Sequence, residues 1–149
     1  MGWEIRAQVE IEAPPEAVWK VLMDFDSYPS WNPFIRRVDG RAAVGSKLRA
    51  RLEPPKGRGM TFRPTVTTLR PCEAFGWLGR LGVPGVFDGA HRFELSSLDG
   101  GRTRFVQSER FDGILAGLLK RSIRDRTLAG FEEMNRALAE RARAAGRTA

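Results

Sequence analysis

Two long alternating runs meet at Asp99-Gly100-Gly101, and no other stretch constrains the fold as much. Val86 to Leu98 lies on one side and Arg102 to Phe111 on the other. Aspartate followed by glycines supplies the backbone conformations that a tight hairpin needs. A three-residue turn there pairs Leu98 with Arg102. Counting outward sets Leu95 opposite Phe105, Phe93 opposite Gln107, and His91 opposite Glu109. Phe93 and Leu95 share a face with His91 and Gly89. Phe105 and Phe111 share theirs with Gln107 and Glu109. Three polar side chains therefore lie on the apolar face, where desolvation is costly unless they find partners or water. A slip of one residue would turn one strand's side chains outward.

The rest of the chain reads as more strands between helices. Trp3 to Glu12 alternates strictly, with Trp3, Ile5, Ala7, Val9 and Ile11 on one side, as a half-buried strand does. Ala13-Pro14-Pro15-Glu16 opens a short helix, because proline is tolerated in a first turn and a carboxylate suits its positive end. That helix ends near Asp24. Pro29 and Pro33 forbid a long helix across Phe25 to Phe34, yet the aromatics there predict a packed helical turn. Further strands are expected at Phe34 to Gly40, Lys47 to Glu53, Met60 to Arg70 and Glu73 to Arg80. Pro54 to Gly59 is a turn, and Leu81 to Gly85 a flexible connection. From Ile114 to Ala145 one long helix carries the stripe Leu115, Leu119, Ile123, Thr127, Phe131, Met134, Leu138 and Ala142. Residues 146–149 are expected to fray. Strands joined by short turns favour an antiparallel sheet, and helices before and after them make the class α+β, one domain over 1–145.

Composition shortens the list of chemistries. The 149 residues are 42% hydrophobic, enough for one buried core. No apolar run approaches the roughly 18 residues of a membrane span, and no basic-then-apolar leader opens the chain. A soluble, cytoplasmic protein is expected. The single cysteine, Cys72, rules out an internal disulfide and reads as an incidental thiol. One histidine and one cysteine rule out the usual zinc sets, so no metal and no cofactor are expected. A net charge of +7 permits anionic partners, including a membrane surface. The basic residues are scattered, which reads as a solvated face and not as a specific nucleic-acid site. Nothing forces a dimer, so a monomer or weak homodimer is expected.

Ala13-Pro14-Pro15-Glu16-Ala17-Val18-Trp19, followed by Asp24-Phe25-Asp26-Ser27-Tyr28-Pro29-Ser30-Trp31-Asn32-Pro33, resembles the opening of the SRPBCC (START-like) superfamily. Its bacterial members are often described as polyketide cyclase/dehydrase-like. Thr67 to Trp77, Phe87 to Phe93 and Phe131 to Leu138 match as well, so the resemblance covers nearly the whole chain. It implies the helix-grip fold: a curved seven-stranded antiparallel sheet around a long C-terminal helix, two short helices after the first strand, and an apolar cavity between. It also implies ligands such as lipids, sterols, polyketides, quinones or hormones. Some members are aromatases and cyclases, and some act on protein partners. Oxygenase subunits of the superfamily use a metal triad with two histidines, which this chain cannot supply.

Within that frame, His91, Gln107 and Glu109 are candidates to orient a ligand, because a few convergent polar groups in an aromatic-lined pocket suit small molecules. His91 and Glu109 could also move a proton; the plainer alternative is a satisfied cross-strand ion pair. Trp31, Phe34, Phe62, Trp77, Phe93, Phe111, Leu115, Leu119 and Phe131 are candidates to line the cavity, with core packing as the alternative for each. Gly117 and Gly130 either let the helix lie close to the sheet or leave room for ligand. The expected function is binding or transport of a hydrophobic small molecule (lipid, quinone or polyketide-like). The alternatives are a cyclase/aromatase-like enzyme with His91 and Glu109 as acid-base pair, and a protein- or membrane-interaction module using the basic surface.

Overall fold

Strand β1 (Trp3–Ile11) buries Trp3, Ile5 and Ile11 and sends Glu4 and Arg6 to solvent, following its alternation. It pairs antiparallel with β8 (Arg102–Asp112), which pairs with β7 (Asp88–Leu98). The computed structural model describes the backbone of residues 2–148 and the side chains of 2–146. The tail expected over 146–149 thus falls largely outside the described residues.

The β7–β8 hairpin turns at Gly100 and Gly101, whose φ angles of 78° and 70° are the left-handed values this turn demands. Leu98 faces Arg102, Leu95 faces Phe105, Phe93 faces Gln107 and His91 faces Glu109, the register expected from the turn.

β6 (Ala74–Arg80) and β5 (Thr65–Arg70) continue the large sheet in the order β1-β8-β7-β6-β5. A second sheet holds β2 (Ile35–Asp39), β3 (Arg49–Leu52) and β4 (Met60–Phe62) in that order. The strands therefore number eight, in sheets of five and three, where one sheet of seven was expected. The difference lies at Pro64. Met60 to Arg70 reads as one strand, but proline has no N–H for the ladder, and the run divides there into β4 and β5. The two sheets stay joined. The amides of Gly45 and Leu48 donate to the Val66 and Pro64 carbonyls, both at 2.8 Å, and Val66 N–H returns a bond to Ser46 at 2.9 Å.

α1 (Pro15–Met23) begins at its proline and buries Val18, Val21 and Leu22. A 3-10 turn (Phe25–Ser27) and the short α2 (Tyr28–Trp31) follow. The Tyr28 hydroxyl donates to the Leu22 carbonyl at 2.6 Å. Burial, with the Asp24 charge adding to it, holds that phenol well above its ordinary range. Asn32 is fully buried, and its side-chain oxygen accepts from the amides of Phe34 at 3.0 Å and Ile35 at 2.9 Å. The asparagine thereby turns the chain out of α2 into β2.

The last helix, α3 (Ala116–Thr148), starts two residues later than expected. The amides of Ile114 and Leu115 instead donate to Gly85 and Val86, each at 3.0 Å, tying the segment to the 81–87 loop. Trp3 Nε1–H donates to the Ala116 carbonyl at 2.7 Å and pins the helix start to β1. Further along, Phe131, Met134, Leu138 and Ala142 are buried, whereas Leu119, Ile123 and Thr127 are only half-buried. The helix thus seals the core with its second half and stands off the sheet with its first. Among the described residues, no helix is long and apolar enough to cross a membrane.

The two helix glycines differ. A Cβ on Gly130 would lie 2.3 Å from the Phe34 ring, which packs edge-on against Phe131 at 5.7 Å. A Cβ on Gly117 would meet nothing within 4 Å. Alanine at Gly117 should stabilise by about 0.5 kcal/mol through helix propensity. At Gly130 the same change should destabilise by about 1–2 kcal/mol, because overpacking outweighs propensity. Urea midpoints of the two variants check the opposite signs.

Candidate functional site

Where the first half of α3 stands off the sheets, a cavity of about 400 Å³ opens. Phe34, Leu52, Met60 and Phe62 wall it on the small-sheet side. Gly79, Gly89, Glu109 and Phe111 form the large-sheet wall, with Phe87 stacked on Phe111 at 5.4 Å. Leu119, Ile123 and Thr127 roof it. Met60 and Leu81 on its lining are 43% and 51% exposed, so the cavity is open to solvent. Three guanidinium groups, Arg58, Arg80 and Arg126, also border this opening.

Among the residues expected to line a cavity, Phe34, Phe62, Glu109, Phe111 and Leu119 do so. Trp77, Phe93, Phe131, His91 and Gln107 are buried and do not reach the wall. Their rings fill the core behind it: Trp77, Phe93 and Phe131 surround His91 at centroid distances of 5.3, 4.7 and 5.0 Å. Trp31 packs edge-on against Tyr28 at 5.3 Å and does not line the cavity either. Leu115 precedes the helix and is likewise not on the wall.

The three polar side chains of the hairpin form a chain. Gln107 Nε2 donates to Asn135 Oδ1 at 2.9 Å, which turns the Gln107 carbonyl oxygen toward His91. That oxygen lies 2.8 Å from His91 Nε2, so Nε2 carries a proton. The other ring nitrogen, Nδ1, faces Glu109 Oε1 at 3.5 Å. This is an ion-pair distance, beyond a good hydrogen bond. The His91 side chain is 1% exposed and that of Glu109 14%, so the chain runs from the cavity wall into the core. Asn135 was not anticipated; its signal is its place one residue after Met134, on the buried face of α3.

Gly89 makes room for the carboxylate. A Cβ there would lie 2.5 Å from Glu109 Oε2, the oxygen not facing His91. Chemically, the arrangement offers a carboxylate in an apolar wall, backed by an imidazole whose far nitrogen is committed. Such a carboxylate accepts a hydrogen bond from a ligand donor, or exchanges a proton with one. Among the described residues, no three His, Cys, Asp or Glu side chains group as metal ligands would.

Comparison with known proteins sets this geometry in context. A family model described as "Polyketide cyclase / dehydrase and lipid transport" matches residues 2–145. No curated protein matches in sequence. Among solved structures, the Zhui aromatase/cyclase from Streptomyces sp. R1128 is 17% identical, with a TM-score of 0.77 over 95% of this chain and 94% of that one. A protein from Thermus thermophilus is 20% identical, with a TM-score of 0.74 over 96% and 99% of the two chains. A norcoclaurine synthase of Thalictrum flavum is 12% identical, with a TM-score of 0.73 over 95% and 94%. At these identities the likeness is one of fold.

Proposed function

The chain belongs to the polyketide cyclase/dehydrase and lipid transport family, and from that premise we propose that it binds or carries a hydrophobic small molecule in the cavity under the first half of α3. The observation that carries this reading is the cavity itself. Its volume of about 400 Å³ lies in the range of small-molecule sites, and its walls are mostly aromatic and aliphatic. At about 30 Å³ per water-sized group, it holds roughly a dozen non-hydrogen atoms.

Native mass spectrometry of protein purified without detergent tests the reading, with denaturing extraction to identify what is released. The expected result is an apolar molecule at one per chain. A clean apo mass, together with no uptake of a neutral apolar dye, would overturn it.

A second reading rests on Glu109. It is the one acidic side chain on the cavity wall among the described residues, and His91 stands behind it. In that reading the pair moves a proton on the bound molecule, as a cyclase or dehydratase step requires. The extracted molecule, incubated with wild type and with Glu109→Gln, should be converted only with wild type, read as a new chromatographic peak of the same mass for ring closure or as the loss of one water for dehydration. No change with either protein leaves the pair a structural one.

A further inference from the structure

Resting on the binding reading above, we infer that the cavity takes an amphiphilic anion, with its apolar body inside and its acidic group at the mouth between Arg58, Arg80 and Arg126. These residues come from three separate parts of the chain: the 53–59 loop, the end of β6, and α3. All three line the cavity while remaining exposed, so they stand where it meets solvent. The loop and the helix meet there, since a Cβ on Gly57 would lie 3.3 Å from the Arg126 side chain.

Two of the three charges have no carboxylate partner among the described residues. Arg58 has no acidic partner among the described residues. The Arg126 guanidinium donates to the Ser122 carbonyl of its own helix, at 2.9 Å through Nε, and among the described residues to no carboxylate. Arg80 is the one already paired, with Asp88 Oδ1 at an ion-pair distance of 3.6 Å. Inside, the only acidic lining side chain among the described residues is Glu109, which faces His91. The mouth therefore attracts a carboxylate or phosphate, for which the guanidinium fork is shaped. Deeper in, Phe34, Phe62, Phe111 and Ile123 present only apolar surface to the rest of the molecule. A cationic amphiphile meets repulsion at the mouth.

The test uses four probes of one chain length, dodecanoate, dodecyl phosphate, dodecan-1-ol and dodecyltrimethylammonium, each below its micellar concentration. Each displaces the neutral dye N-phenyl-1-naphthylamine from the full chain. At least one of the two acids should displace at about tenfold lower concentration than the alcohol, and the cation should be weakest. Which acid is preferred tells a carboxylate from a phosphate ligand.

Arg58→Gln/Arg126→Gln should bring the acids to the level of the alcohol and leave the alcohol unchanged. Arg121→Gln/Arg141→Gln, exposed and off the cavity, should leave the preference intact. Equal displacement by acid and alcohol overturns the inference while the binding reading stands. So does a preference that survives the first double variant or disappears in the second. A protein that takes up neither dye nor any probe overturns the binding reading, and this one with it.

Discussion

Gln107→Leu is expected to lower the free energy of unfolding by about 4 kcal/mol, the largest effect of any single change considered. Leucine is close in size, so little cavity forms. What is lost is the pairing on both sides. His91 Nε2–H and Asn135 Oδ1 each bond to Gln107, and all three residues are buried. Each orphaned group costs about 1–3 kcal/mol. A triple change, His91→Phe with Gln107→Leu and Asn135→Leu, removes the amide-bonded donors and acceptors together, leaves only the Glu109 carboxylate at the cavity wall without its imidazole, and should recover part of the loss. Urea unfolding of the single and triple variants checks this. A single variant within about 1 kcal/mol of wild type would mean that the amide is not what holds the imidazole.

Asn32→Ala should cost about 3 kcal/mol. The alanine leaves the buried amides of Phe34 and Ile35 without their shared acceptor. The loss is local in origin, so hydrogen exchange at those two amides should speed up more than in the β7–β8 hairpin. Unchanged protection at Phe34 and Ile35 would sink the assignment of Asn32 as the turn's acceptor.

This second variant explains why the opening motif marks a fold and not a reaction. The Tyr28 hydroxyl and the Asn32 side-chain oxygen are spent on the backbone of their own segment, on the Leu22 carbonyl and the two amides. Neither lines the cavity. The resemblance was legible because the same local geometry needs the same local residues.

The hairpin was legible for a related reason. Its turn and its alternation are both local, and together they determine which residues stand opposite each other. What was not legible was the split at Pro64, because four threonines and Val66 between Met60 and Arg70 favour one strand and the proline removes only a single donor.

The cavity was legible only in part. Periodicity says which side chains face inward; it does not say where the interior is filled. Ile123 and Phe131 belong to one stripe. Phe34 packs beneath Gly130 and Phe131, so Phe131 is core. Ile123 has no such filler and roofs the cavity. That difference depends on how closely the helix approaches two separate sheets, which no window of sequence contains. The three arginines at the mouth are equally invisible from the sequence, since they lie far apart along the chain.

The way α3 is held has its own consequence. Trp3 fastens the start of the helix at Ala116, and the core grips it from Phe131 onward. The turns between are a beam resting on two supports, with solvent above and the cavity below. A beam of this kind takes its stiffness from whatever fills the span. Occupancy should therefore be felt in those turns first, and the anchored half can stay rigid while the unsupported half adjusts to guests of different girth.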